Sequence, residues 1–167
     1  MIKPLFQKIV VAINGSDQSL HAAMYAILLA KQYKCSLKAV YVVDTAALKF
    51  LSMSKFFLKT ESQKYEENLL NDGKKYLDQV VTFAKVKGVK VETELRKGSP
   101  WSEILHVADD FGADLILLGG KEHSASSLSS EVARDRASST NMDIIGSARC
   151  NVLVVRQKDI EKLFKIG

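Results

Sequence analysis

A short apolar run at residues 115–118, Leu-Ile-Leu-Leu, ends at the glycine pair Gly119 and Gly120 and constrains the fold of this chain most strongly. The run is too short for a helix and has no polar face, which is typical of a buried strand in a parallel sheet. A serine-rich loop, a helical segment and another apolar run follow it. Because open α/β sheets bind ligands at the C-terminal ends of their strands, we expect the loop after Gly119 to border any binding site.

Strand and helix patterns alternate along the whole chain. Five short runs have the length and composition of strands: 9–13, 37–43, 89–95, 115–118 and 152–155. Between them, apolar side chains recur at helical spacing at 22–30, 65–84 and 104–108, and a fourth helix is expected before the last strand. The third run alternates apolar with charged residues, which predicts a half-exposed edge strand, whereas the other four are expected to be buried. This alternation predicts a doubly wound α/β fold with a mostly parallel sheet.

Length and composition favour one domain. The chain has 167 residues, of which 47% are hydrophobic, enough for one well-filled core. We therefore expect a single domain over residues 1–167, with a core at about 8–156 and a short C-terminal tail at 157–167. The net charge of +5 comes from dispersed lysines without an interleaved aromatic stripe, so we expect no nucleic-acid partner.

The sequence also indicates where the protein acts. No apolar run approaches the roughly 18 residues of a membrane span, and the N-terminus is not typical of a signal peptide, so we expect no membrane partner. Cys35 and Cys150 are far apart and lack metal-ligand spacing, which indicates reduced, structural thiols. A cytoplasmic location is the corresponding prediction.

A crevice is predicted where the first and fourth strands end. The first strand runs into the turn Asn14-Gly15-Ser16, in which Ser16 is a suitable cap for the next helix. If these two strands are neighbours, this turn and the pair Gly119-Gly120 flank one crevice at the switch point of the sheet.

Five blocks of the sequence, in this order and spacing, resemble the universal stress protein family: KIVVAINGS at 8–16, VYVVD at 40–44, KGSP at 97–100, ADLILLG at 113–119 and CNVLVV at 150–155. The resemblance covers residues 8–156. It implies a Rossmann-like, five-stranded parallel sheet in the order 3-2-1-4-5. It also implies a homodimer that pairs through the fifth strand, Val152 to Val155.

Members of that family that bind ATP carry the motif G-x-x-G-x9-G-[S/T] after the fourth strand. In this chain Gly119 occupies the first position, but the second position is Glu122, whose carboxylate repels phosphate and whose side chain prevents the close approach that glycine allows. The final Gly-Ser position falls on Ser138 and Ser139 after a longer loop. Gly146-Ser147 is expected at the C-terminal end of the helix, where the helix dipole disfavours phosphate.

The nucleoside half of the implied site is closer to the family pattern. Asn14 stands where the family usually has an aspartate, and Val42 corresponds to the valine that meets the adenine; a turn asparagine and a buried valine also suit purely structural roles. The resemblance thus implies ATP or AMP as ligand, with Mg²⁺ beside ATP. The implied nucleotide-binding residues are Asn14, Gly15, Ser16, Val42, Gly119, Gly120, Lys121, Ser138 and Ser139.

Three functions stay open at this point. The first is a regulatory protein of the stress response that binds an adenosine nucleotide without turnover. The second is a dimeric interaction module that no longer binds ATP tightly, and the third is a slow ATPase that uses residues of the loop, namely Lys121, His123, Arg134 and Arg136. No Ser/His/Asp order, metal-ligand cluster or Walker lysine motif is visible, so we expect no catalytic and no metal site.

Two further segments carry open alternatives. The serine-rich loop 123–140 suits phosphate binding, phosphorylation or a mobile surface loop. The apolar segment 48–58 suits a partner-binding lid, or packing over the core or the dimer contact.

Overall fold

The computed structural model describes residues 2–46, 48–49, 59–120 and 138–167. Within them, the strands are β1 (Lys8–Ile13), β2 (Ser36–Asp44), β3 (Val91–Gly98), β4 (Leu115–Gly119) and β5 (Asn151–Val155). The helices are α1 (Asp17–Tyr33), α2 (Lys59–Val86), α3 (Pro100–Phe111), α4 (Ser139–Ser147) and α5 (Ile160–Ile166). The strands form one parallel sheet in the order β3-β2-β1-β4-β5, which confirms the predicted fold class.

The central strands are buried on both faces because helices cover both sides of the sheet. Along β1, Ile9 and Val11 pack into the layer of α1 and α2, whereas Val10 packs against α3 and α4. All three side chains are fully buried. Burying one such aliphatic side chain stabilises the fold by roughly 1.5–3 kcal/mol, so the continuous apolar runs of β1 and β4 are what this architecture requires.

The two edge strands are more polar or more exposed than the central ones. β3 is half-exposed, as predicted. It extends beyond the predicted end to Gly98, because Lys97 and Gly98 still pair with Val43 and Asp44 of β2. The expectation of a buried β5 is wrong for the isolated chain, in which Val152, Leu153 and Val154 are only half-buried. Within the described part of the chain, β5 pairs with β4 alone, so its outer edge is open.

The expectation that residues 157–167 form only a tail is also wrong. They contain α5, whose Ile160 and Phe164 are buried. The Phe164 and Phe83 rings pack at an interplanar angle of 60° with a centroid distance of 5.9 Å, and Lys87 Nζ lies 4.7 Å from the Phe164 centroid. The helix therefore packs back on α1 and α2, because its own apolar positions recur at helical spacing and need a surface to cover them.

Gly119 allows β4 and α1 to approach closely. A Cβ atom added at Gly119 would lie 2.6 Å from the carbonyl carbon and oxygen of Gln18, both of which belong to the backbone. Neither atom can move away by a side-chain rotation. The first turn of α1 therefore rests directly on the end of β4, and only glycine fits at that point.

We expect Gly119→Ala to destabilise the protein by about 2–3 kcal/mol, because the extra methyl group must push two backbone segments apart. The matched control is Gly146→Ala in α4, where an added Cβ has nothing within 4 Å. That change should leave stability unchanged or raise it by roughly 0.5 kcal/mol through helix propensity. Urea unfolding measures both, and equal midpoints for the two variants would contradict the backbone contact.

A second pair of variants tests the packing of α5. Ile160 is 1% exposed and Ile166 is 85% exposed, on the same helix. Because a buried isoleucine truncated to alanine typically costs about 2–5 kcal/mol, Ile160→Ala should lower the free energy of unfolding by at least about 2 kcal/mol. Ile166→Ala should change it by less than about 0.5 kcal/mol. If both variants unfold like the parent protein, α5 does not belong to the folded core.

Candidate functional site

A cavity of about 230 Å³ lies at the C-terminal ends of the central strands. It opens where β1 ends between β2 and β4, which is the switch point of the sheet. Its lining comes from three strand ends and the first turns of three helices: Ala12, Ile13, Asn14, Ser19, Val42, Pro100, Ile104, Leu118, Gly119, Ser138, Thr140 and Asn141.

One end of the cavity is apolar. Val42, near the end of β2, lies beside Pro100 and Ile104 from the first turns of α3. Helix α3 begins at Pro100, and Ser99 is the N-cap residue before it. Its first turn is held beside β3 by an ion pair, in which Arg96 Nη1 lies 3.4 Å from Glu103 Oε2. This arrangement offers an apolar wall of the kind that a flat aromatic group can cover.

The other end is a helix N-terminus. Ser138 caps α4, because its Oγ accepts a hydrogen bond from the Asn141 amide at 3.1 Å. Asn141 Nδ2 donates in turn to the Gly119 carbonyl at 2.9 Å, which fastens the first turn of α4 to the end of β4. The first amides of a helix have no acceptor within it, so this end of the cavity suits an anion.

The turn after β1 lies between these two ends and is held by a closed set of hydrogen bonds. Asn14 Oδ1 accepts from the Ser16 amide at 3.0 Å and from Ser16 Oγ at 2.6 Å. Ser16 Oγ also caps α1 by accepting from the Ser19 amide at 3.1 Å, and the Asn14 amide donates to Ser19 Oγ at 3.2 Å. The side chain of Asn14 is thus fixed by its own turn.

Aromatic packing supports this turn from the opposite face of the sheet. Gly15 has a φ of +85°, and a Cβ added there would lie 2.7 Å from Cε2 of Tyr76. Tyr76 stacks on Tyr41 with a centroid distance of 6.2 Å and an interplanar angle of 13°. Burial, followed by the nearby charge of Asp72, raises the pKa of the Tyr41 hydroxyl above its ordinary value, so this hydroxyl stays neutral.

The predicted site residues take different places around the cavity. Four of them line it: Asn14, Val42, Gly119 and Ser138. Gly15 and Ser16 shape the adjacent turn, and Ser139 is the exposed first residue of α4. The Gly120 amide donates to the Val155 carbonyl at 3.1 Å, so it serves strand pairing.

Several residues of the predicted site and of the two open segments lie outside the described ranges. Lys121, Glu122 and the rest of the loop up to residue 137 lie outside the residues that the structure describes, as do residues 50–58 of the apolar segment. Leu48, at the start of that segment, is buried in the core. Gly146 and Ser147 lie at the C-terminal end of α4, as expected.

Sequence reasoning did not assign the other eight lining residues to the site: Ala12, Ile13, Ser19, Pro100, Ile104, Leu118, Thr140 and Asn141. A signal existed for two of them. Ser19 and Asn141 each come three residues after a serine, Ser16 or Ser138, which is the spacing of an N-cap and the amide that it accepts from.

The lining residues that the structure describes are all uncharged, so this part of the site offers hydrogen bonds and shape. In the same ranges, no group of three or more His, Cys, Asp or Glu side chains is placed to hold a metal ion. Likewise, no helix there has the length and apolar composition to cross a bilayer. Cys35 and Cys150 are free thiols, and burial raises the pKa of both, which keeps them protonated and weakly reactive.

Comparison with known proteins identifies the family. The model of the universal stress protein family matches residues 5–156. A universal stress protein of Methanocaldococcus jannaschii is 35% identical over 155 residues, which cover 92% of this chain and 84% of the relative.

Solved structures share the fold. UspA of Lactobacillus plantarum superposes with a TM-score of 0.73 at 23% identity, covering 92% of this chain and 100% of the other. A universal stress protein in complex with cAMP has a TM-score of 0.57 at 20% identity and covers 90% of this chain and 96% of its own. A universal stress protein from Archaeoglobus fulgidus in complex with dAMP has a TM-score of 0.58 at 18% identity, and the match covers 92% of this chain and 100% of the other.

Among the residues that the structure describes, the match to the family model spans the five strands and the whole lining of the cavity, and it ends before α5 begins. The chain therefore belongs to the universal stress protein family.

Proposed function

We propose that this protein is a cytoplasmic regulatory protein of the stress response that binds an adenine nucleotide, ATP or AMP, in the cavity and acts by binding. The observation that carries the proposal is one cavity with an apolar wall at Val42 and a helix N-terminus at Ser138. The base lies against the wall, the sugar beside Asn14 and the phosphate at the start of α4. The free thiols of Cys35 and Cys150 favour the reducing cytoplasm.

The size of the cavity favours a nucleotide with few phosphates. Its volume of about 230 Å³ is below the roughly 300–1,000 Å³ of typical ligand pockets, so it suits a nucleoside whose phosphate extends outwards. The two structural neighbours in complex with cAMP and dAMP, each with a single phosphate, support the same ligand class. If ATP is bound, its outer phosphates and any Mg²⁺ lie beyond the residues that line the cavity.

Binding without turnover follows from what hydrolysis requires. A phosphoryl transfer site needs a positioned water and a cation that stabilises the charge developing on the γ-phosphate. The described lining supplies neither a cation nor a general base, only hydroxyls, amides and apolar groups. The slow ATPase, which relies on loop residues such as Lys121 and His123, is therefore the least favoured alternative.

A dimeric interaction module is the second candidate, and the open edge of β5 favours it. An unpaired apolar edge strand promotes pairing with another chain. Val152 and Val154 are half-buried on this strand, and Met142 and Ile145, on the helix that leads into it, are each about half exposed. We propose that two copies pair through the fifth strand, Val152 to Val155, with or without bound nucleotide.

The phosphate position can be tested by placing a negative charge at the start of α4. We expect Ser139→Asp to weaken AMP binding about tenfold through charge repulsion and to change adenosine binding less than twofold. The fold should be unchanged or slightly more stable, because an acidic residue favours a helix N-terminus. The matched control is Ser147→Asp at the other end of the same helix, which should leave AMP affinity intact. Isothermal titration calorimetry measures the AMP and adenosine affinities of the parent and of both variants, and parallel losses for AMP and adenosine in Ser139→Asp would contradict the placement.

Turnover provides a separate test. With ATP and magnesium, we expect the purified protein to hydrolyse less than about one ATP per minute, far below the roughly 10 per second of a typical enzyme. Steady release of phosphate well above that rate, lost in Lys121→Ala or His123→Ala, would replace the binding role with the ATPase.

Pairing through β5 predicts a dimer by light scattering at micromolar concentration. A charge on the edge strand, in Val154→Arg, should shift the protein towards monomer, because edge charges oppose strand pairing. Val86→Arg at an exposed site on α2 is the matched control and should stay dimeric. A parent protein that is monomeric at about 100 µM would exclude the second candidate, while leaving nucleotide binding unaffected.

A further inference from the structure

Asn14 occupies the middle of the proposed nucleotide site, and the inference below rests on the proposed function. In the sheet, β1 lies between β2 and β4, so Asn14 at the end of β1 lies between Val42 at the end of β2 and Gly119 at the end of β4. With the base at Val42 and the phosphate at the start of α4, the sugar is the part of the ligand that meets Asn14.

The hydrogen bonds of the turn determine which atom of Asn14 faces that sugar. The Ser16 amide can only donate, so the side-chain oxygen of Asn14, and not its nitrogen, must point towards it. Ser16 Oγ donates to the same oxygen at 2.6 Å, which occupies both of its acceptor sites. Nδ2 donates to no acceptor within the described ranges, so Asn14 offers the ligand two N–H donors and no acceptor.

An aspartate in the same turn would present the opposite chemistry. One carboxylate oxygen would accept from Ser16, and the second would face the sugar as a charged acceptor for a hydroxyl group. Such a charge-assisted bond favours a free sugar hydroxyl and repels an ester oxygen that carries a phosphate. Asn14 does neither, because a neutral N–H group donates equally well to a hydroxyl oxygen or an ester oxygen.

We infer that Asn14 is a specificity-determining residue that makes the sugar end of the site a hydrogen-bond donor. The site then accepts adenine nucleotides whose sugar hydroxyls are absent or esterified, such as 2′-deoxy and 3′,5′-cyclic monophosphates, alongside AMP. The protein therefore binds these nucleotides with similar affinities, whereas a carboxylate at position 14 would favour nucleotides with a free sugar hydroxyl.

The parent protein tests the inference without any substitution. Calorimetry with AMP, 2′-deoxy-AMP and 3′,5′-cyclic AMP should give three affinities within about fivefold of one another, since one neutral hydrogen bond changes affinity by about that factor. A preference for AMP over 2′-deoxy-AMP of more than about tenfold would overturn the inference, because it exceeds what one neutral hydrogen bond from Asn14 Nδ2 to the 2′-hydroxyl oxygen contributes.

The variant Asn14→Asp tests the role of the residue itself. The carboxylate can still accept from Ser16, so the turn is retained, and the preference for AMP over the cyclic nucleotide should rise by tenfold or more. The ratio of affinities is the readout because a change in folding lowers both affinities together. Asn151→Asp, at the other end of the sheet, adds the same charge and should keep the parent ratio within about twofold.

The outcomes separate this inference from the proposed function. An Asn14→Asp ratio within about twofold of the parent ratio overturns the role of Asn14, although binding of all three nucleotides still supports the proposed function. If the parent protein binds none of the three, the proposed function fails and the inference fails with it. If Asn14→Asp does not fold, the affinities of the parent protein decide the question alone.

Discussion

The parallel pairing of β1 with β2 on one side and β4 on the other determines where this protein can bind a ligand. The chain reaches β2 through α1 on one face of the sheet, and the later helices α3 and α4 cover the other face. The C-terminal end of β1 is therefore the point at which neighbouring connections diverge. The cavity lies at that point, and strand and helix ends direct their backbone groups towards it.

The cavity is held by contacts between short segments that are remote in the sequence. The first turn of α1 rests on the backbone of Gly119, and Asn141 links the first turn of α4 to the Gly119 carbonyl. The serine caps of both helices are part of the same structure, since Ser16 and Ser138 each accept from the amide three residues later. Stability and the shape of the site thus depend on the same few groups, and a change at Gly119 affects both.

The sequence departs from the pattern that the family resemblance implies at three places. Asn14 stands for an aspartate, Glu122 for a glycine, and Ser138 and Ser139 for a glycine-serine pair. The described lining consists of hydroxyls, amides and apolar groups, all of them neutral. Neutral groups select a ligand by its shape and its hydrogen-bond donors and acceptors. They select it less by charge than charged groups do. In the proposed nucleotide site, this lining suits tolerance of several adenine nucleotides better than selection of the triphosphate.

The sequence by itself determined the fold class, because apolar runs that are buried on both faces, such as 115–118, permit little but a covered parallel sheet. Local signals also pointed to Asn14, in the turn after β1, and to Gly119, at the end of β4, whereas Val42 and Ser138 were implied only by the resemblance to the family; all four line the cavity. The sequence did not place Pro100, Ile104 or the buried face of α5, because these depend on which surfaces meet after the chain has folded. The use of the Gly120 amide in strand pairing, and of both acceptor sites of Asn14 Oδ1 within its own turn, was likewise decided only by tertiary structure. The residue type determines which hydrogen bonds a side chain can make, but the neighbours of that side chain in the folded protein determine which donors and acceptors remain available to a ligand.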